Sequence, residues 1–194
     1  RLRDLPGVDR RLDLLGPDAP FDLRGVNPLV VERLDRVLRA DGLDRDDLVF
    51  FAAGVSNSGE TRESEFKREA WLADAFSLST HIVYFSSFCV FYANTPYAKH
   101  KRRMESYISS WRNYTILRMG NITWGDNPHT LINYLRAHPE APLRDEYRYI
   151  CAREEFAHWI RLIPDWPCEM NVPGRRMKVT EIYREFVLGE RALA

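Results

Sequence analysis

Two short apolar runs limit the folds open to this chain. DLVFFAAG (47–54) and HIVYFSS (81–87) are rich in Val, Ile and aromatic residues and end in small or hydroxyl residues. That is the composition of strands buried on both faces. Between them, SGETRESEFKREAWLADAFS (58–77) is charged on one face and carries Phe66, Ala70, Leu72, Ala73 and Phe76 on the other. The pattern predicts an amphipathic helix. A helix over KHKRRMESYISSW (99–111) and a strand then loop over YTILRMGNITWG (114–125) continue the alternation. Buried strands alternating with helices of this length predict a parallel sheet covered by helices.

The flanks extend the pattern. VDRRLDLLG (8–16) suits a short strand. PLVVERLDRVLRADG (28–42) suits a helix, with Pro28 at its start, Gly42 at its end and Val30, Leu34, Val37 and Leu38 on one face. Beyond Gly125 the spacing predicts a helix over 127–139, a short strand and helix over 148–166, and a strand and turn over 168–174. A terminal helix follows over 177–192, with Thr180 as its cap.

The chain has 194 residues and a formal net charge of zero. It is long enough for one domain with a small lobe, and the charge balance argues against a nucleic-acid or membrane-surface partner. No run approaches the roughly 20 apolar residues that span a bilayer. Three cysteines, Cys89, Cys151 and Cys168, form no CxxC pair, which predicts a reducing, cytoplasmic setting. The five histidines are scattered without ligand spacing, so no metal site is expected.

Ligands of open parallel sheets bind at the carboxyl ends of the strands. Two such ends carry polar or small residues here, AAGVSNS (52–58) and SSF (86–88). Shortly after the second come Tyr97 and Lys101. Four residues apart on a helix, these two share a face, one turn apart. An ammonium near a phenol favours the phenolate and is expected to lower the tyrosine pKa. Such a tyrosine can move a proton to or from a hydroxyl or carbonyl oxygen, and a nearby serine can hydrogen-bond that oxygen.

The stretch from Ser87 to Lys101 resembles the Ser…Tyr-x-x-x-Lys constellation of the extended short-chain dehydrogenase/reductase superfamily, in the branch that works on nucleotide sugars. Other segments resemble that branch in the same order. FDLRG (21–25) resembles the segment beside the adenine, and FFAAG (50–54) a strand ending against the cofactor. LRMGNITWG (117–125) resembles a strand whose Asn faces the sugar nucleotide. RYICAREEFAHWI (148–160) and EMNVPG (169–174) also fall in place. The resemblance implies an α/β fold: a Rossmann-like parallel sheet flanked by helices, with its first βα unit missing and a small C-terminal substrate lobe. The expected core is 1–125 with 148–165, and the expected lobe 126–147 with 166–194. The implied catalytic residues are Ser87, Tyr97 and Lys101, with Lys101 also on the nicotinamide ribose. Asp22, Leu23, Ala52, Ala53, Gly54, Tyr97 and Lys101 would bind NAD or NADP. Ser56, Asn57 and Asn121 would face a nucleotide-sugar substrate, and a homodimer through paired helices is implied as well. GVSNSGETRESEF (54–66) resembles an atypical subgroup associated with bacterial surface-polysaccharide gene clusters.

Each of these residues also has a structural alternative. Ser86 and Ser87 suit a strand-end cap, Tyr97 a turn behind Pro96, and Lys101 a solvated helix start. Ser56, Asn57 and Ser58 suit a helix N-cap, and Asn121 suits a turn. The chain also departs from the superfamily. The Gly-x-x-Gly-x-x-Gly turn that opens the fold is not in this sequence. The first residue is Arg1, so the expectation is either that roughly 20–30 residues forming a strand, turn and helix precede it or that the unit is lost. Phe91 and Tyr92 stand where the family has Tyr-Gly, and the interval from Ser87 to Tyr97 is short. The rival reading is a non-catalytic or partial Rossmann-like binding or partner protein.

Overall fold

A computed structural model of the protein describes residues 48–74, 76 and 81–190. The strand expected over 8–16, the helix expected over 28–42, and Asp22 and Leu23 lie outside the described residues. Four strands form the larger sheet: β1 (Leu48–Phe51), β2 (His81–Ser87), β3 (Tyr114–Met119) and β6 (Cys168–Val172). They are adjacent in the order β1-β2-β3-β6 and every pairing is parallel, with Phe51 opposite Tyr84 and Ser86 opposite Arg118. The parallel sheet expected from the alternating pattern is therefore present.

Both faces of this sheet are covered. Helices α1 (Glu63–Asp74) and α2 (Pro96–Ile108) pack on one face, burying Leu72, Ala73, Met104 and Ile108 against Ile82, Tyr84 and Ile116. Helix α4 (Arg153–Arg161) packs on the other, with Phe156, Ala157 and Ile160 against Val83, Leu117 and Val172. Alternation along β2 divides its side chains between these two layers.

A second, smaller sheet joins β4 (Asn121–Ile122), β5 (Tyr147–Cys151) and β7 (Arg175–Lys178). Strand β5 runs parallel to β4 and antiparallel to β7. Helix α3 (Leu131–Ala137), the short α5 (Val179–Ile182) and a π-turn over Tyr183–Val187 cover it, burying Ile132, Leu135, Ile150, Met177 and Ile182. Residues 148–151, expected with the core, thus belong to the small sheet. Residues 168–172, expected with the lobe, form the edge of the large one.

Among the element boundaries that differ from expectation, three have a clear local reason. Helix α1 starts at Glu63 rather than 58 because the preceding polar residues make turns of their own. The Asn57 side-chain oxygen accepts from Gly59 N (2.9 Å), and Glu60 accepts from Thr61 N and Arg62 N (3.0 and 2.9 Å). Helix α2 starts at Pro96 rather than 99, since the Thr95 hydroxyl accepts from Ala98 N and Pro96 fits the first turn. The expected terminal helix is shorter, because 175–178 pair with β5 as a strand. Lys178, not Thr180, then caps α5, its backbone N–H donating to Glu181 (2.7 Å).

The turn into β7 rests on Gly174. Its φ is +76°, and a Cβ there would lie 2.1 Å from the Ile150 carbonyl oxygen. Gly174→Ala is expected to cost about 2–4 kcal/mol, from left-handed strain and the backbone clash together. Denaturant unfolding measures this; a cost below about 1 kcal/mol would contradict the close approach.

Candidate active site

Ser87 ends β2, and its Oγ accepts from Cys89 N (3.3 Å), turning the chain into a 3-10 segment over Phe88–Phe91. The Arg102 guanidinium on α2 donates to Val90 O (2.7 Å) and Ala93 O (3.1 Å), which ties this segment down. Thr95 and Pro96 then start α2, with Tyr97 in its first turn and Lys101 one turn later. Both are buried. The Ser87 side chain lies close enough to the Tyr97 hydroxyl to favour its phenolate form. The Lys101 amine lies 5.8 Å from the Tyr97 ring centre. Ser87, Tyr97 and Lys101, fourteen positions apart at most, therefore meet at the carboxyl end of β2.

Beside them lies a residue that the sequence reading passed over. Glu69, on α1, is fully buried, and each of its carboxylate oxygens accepts two hydrogen bonds. Oε1 accepts from Lys101 Nζ (2.8 Å) and Tyr84 OH (2.7 Å). Oε2 accepts from Val55 N (2.8 Å) and His100 Nε2 (2.8 Å). A carboxylate only accepts, so this ring nitrogen of His100 carries a proton. The amine donates further to Tyr84 OH (3.1 Å) and Phe85 O (3.3 Å), which accounts for its three N–H bonds. A signal was present in the sequence: Glu69 stands three residues after Phe66 and four before Ala73, on the apolar face of the helix.

Burial pushes the Glu69 carboxyl up, but the Lys101 charge and the hydrogen bonds from His100, Lys101 and Tyr84 outweigh it. They hold the group well below the usual carboxylate range. Tyr97 moves the other way. Burial raises its pKa well above the ordinary tyrosine value, the nearby Cys89 and Glu69 add to this, and only the Ser87 hydrogen bond opposes it. The expected lowering by Lys101 is thus reversed, because the ammonium is paired with a carboxylate and the phenol is out of water.

The other expected site residues have definite places. Ala52, Ala53 and Gly54 follow β1, half-buried. Gly54 lies directly on the ion pair: a Cβ there would be 2.6 Å from Glu69 Oε1 and 3.2 Å from Lys101 Nζ. Ser56 accepts from Asn127 Nδ2 (3.0 Å), linking the β1 loop to the segment before α3. Asn57 makes the turn already described. Asn121 donates its amide to Tyr149 O (3.0 Å) within the small sheet. Ser86 belongs to a second buried network, donating to Glu105. Glu105 is held by Arg118, which also pairs with Glu169 (2.7 Å). Among the described residues, no group of three or more His, Cys, Asp or Glu could hold a metal ion.

No protein-family model and no curated protein matches this chain. Solved structures do resemble it in fold. One is the enzyme WbmG of Bordetella bronchiseptica in complex with NAD, at 13% identity and a TM-score of 0.59, covering 96% of this chain and 74% of that one. Another is UDP-glucose 4-epimerase of Thermotoga maritima with UDP-glucose, at 14% identity and a TM-score of 0.56, covering 94% and 78%. A third is dTDP-glucose 4,6-dehydratase of Bacillus anthracis in complex with NAD, at 13% and 0.55, covering 82% and 62%. At such identities the likeness establishes the fold, a Rossmann-like α/β sheet.

The ion pair has two measurable consequences. Lys101→Met leaves the Glu69 carboxylate buried without its cation and is expected to cost about 3–5 kcal/mol in urea unfolding. The Glu69 contribution to stability should also depend on pH. Its folded pKa is depressed, so the contribution is full above the unfolded value near ~4.3 and is lost as the pH falls below it. Urea midpoints measured from about pH 7 down to about pH 3 should therefore fall less in Glu69→Gln than in the wild type.

Proposed function

We propose that this chain belongs to the extended short-chain dehydrogenase/reductase superfamily and is an NAD(P)-dependent enzyme acting on a nucleotide-linked sugar, as an epimerase, dehydratase or reductase. The observation that carries this reading is the meeting of Ser87, Tyr97 and Lys101 at the carboxyl end of β2, where a parallel sheet receives its ligand. The similar structures lend support, since two hold NAD and one holds UDP-glucose.

In this reading Tyr97 carries the proton exchanged with a sugar oxygen, and its burial keeps that proton on the phenol in the resting site. The Ser87 hydroxyl, close to the Tyr97 hydroxyl, orients the same oxygen. Lys101 stands beside the phenol, its charge paired with Glu69. Ala52, Ala53 and Gly54 offer small side chains and backbone at the end of β1 to NAD or NADP, and the resemblance assigns Asp22 and Leu23 to the same cofactor. The cofactor, when bound, supplies hydride exchange. Ser56, Asn57 and Asn121 are the residues the resemblance assigns to the sugar nucleotide, and a role in surface-polysaccharide synthesis fits the resemblance of 54–66.

A second reading has its own support. The three N–H bonds of Lys101 are already taken within the chain, so holding a ribose hydroxyl requires giving one up. This favours a Rossmann-like binding or partner protein without catalysis. Two measurements separate the readings. Titration with NADH and with NADPH, followed by tryptophan quenching, is expected to saturate with one of them. Tyr97→Phe is expected to reduce turnover of UDP-glucose with NAD at least about 100-fold, the contribution of a positioned acid/base group. Binding of neither cofactor favours the second reading, and turnover near the wild-type rate in Tyr97→Phe rules out the proton-transfer role.

A further inference from the structure

The Ser-Tyr-Lys arrangement leaves Glu69 unexplained. A buried carboxylate is retained in a core only at a large desolvation cost. An apolar residue at this position would continue the α1 face formed by Phe66, Leu72 and Ala73. Glu69 instead collects donors from three separate places. Val55 N comes from the loop after β1, Tyr84 from β2, and His100 and Lys101 from α2. The loop after β1 is closed tightly over the pair, since even a Cβ on Gly54 would collide with Oε1.

We propose that Glu69 is a positioning residue of the site: its carboxylate pins the Lys101 amine beside Tyr97 and cancels its charge there. The inference rests on the reading of Tyr97 as the reacting group. The Lys101 amine lies 5.8 Å from the Tyr97 ring centre. Were it unpaired, it would stabilise the phenolate. Paired with Glu69 it contributes little net field, and Tyr97 stays a neutral phenol. Other groups face this cluster without altering the sign. His100 donates to Glu69 from α2, stacked on Phe66. Tyr84 and Cys89 face it as weak acids, and Glu105 adds negative potential at Tyr84 from the next turn of α2. Arg68 on α1 donates to the Ala53 carbonyl instead. Glu69 therefore decides how strongly Lys101 activates Tyr97. Any movement of the β1 loop that draws Val55 N and Gly54 away would weaken the lock.

The test is direct titration of Tyr97 in the full chain labelled with ζ-carbon-13 tyrosine. The Tyr97 signal is identified by its loss in Tyr97→Phe. In the wild type it should stay in the phenol form well above the ordinary tyrosine value near ~10. In Glu69→Gln, which retains an acceptor for Lys101, the midpoint should fall by at least about one pH unit, the scale of one unscreened neighbouring charge. In Glu69→Gln/Lys101→Met, which removes both charges, it should return to within about half a unit of the wild type. An unchanged midpoint in folded Glu69→Gln overturns the proposal. So does a double variant that keeps the lowered midpoint, since the effect would then not pass through Lys101. Where Glu69→Gln fails to fold, the double variant decides alone: a shift above about half a unit from the wild type overturns the proposal. Turnover of UDP-glucose with NAD is followed in parallel. A midpoint that shifts while Tyr97→Phe keeps full turnover preserves the role of Glu69 and discards catalysis by Tyr97. An unshifted midpoint with an inactive Tyr97→Phe does the reverse.

Discussion

The buried pair of Glu69 and Lys101 holds together the end of the molecule that carries the candidate chemistry. Four segments meet on it: the loop after β1, helix α1, strand β2 and helix α2. The loop after β1, α1 and α2 also share a small apolar cluster of Val55, Phe66 and Tyr97, with Cys89 packed against it. A buried charge tolerates no alternative arrangement in which its partner is absent. The pair is therefore less a source of stability than a constraint on geometry. It fixes the rotation of α2 and so places Tyr97 against Ser87.

A second ionic cluster repeats the arrangement one step along. Lys101 and Glu105 are four residues apart on α2, and they meet Tyr84 and Ser86, two residues apart on β2. The repeat follows from the spacings, because four helical residues rise about 6 Å and two strand residues about 6.6 Å. A helix lying along a strand can thus place successive turns over successive inward positions. Arg118, opposite Ser86 in the register, ties Glu105 to β3 and, through Glu169, to β6. The charges run across the sheet from α1 to β6, beneath the carboxyl ends where a ligand would lie.

The apolar layers do different work. The clusters around Tyr84 and Ile116 on one face, and around Val83 and Leu117 on the other, fasten the helices to the sheet. They specify which face each helix covers, yet apolar contacts leave rotation and translation loosely set. The polar networks settle those last degrees of freedom. The small sheet with α3 and α5 has a cluster of its own around Ile150 and Met177, so the region beside the site is built as a separate layer.

The alternation of apolar runs with an amphipathic stretch was enough, from sequence alone, to determine a parallel sheet, its helical covering and the bounds of β2, since these depend on local periodicity and burial. The meeting of Ser87, Tyr97 and Lys101 was also legible, because all three lie within one strand-to-helix passage. Helix starts were less legible: Asn57, Glu60 and Thr95 decide them by side-chain hydrogen bonds that spacing does not rank. The assignment of 148–151 to the small sheet and 168–172 to the large one was decided by pairing between distant segments, which local pattern does not encode. Only the tertiary structure brought Glu69 to Lys101 across thirty-two positions. It thereby reversed the expected effect on Tyr97. The pKa of a phenol depends on every charge and on the water around it, and those are properties of the folded neighbourhood rather than of any motif.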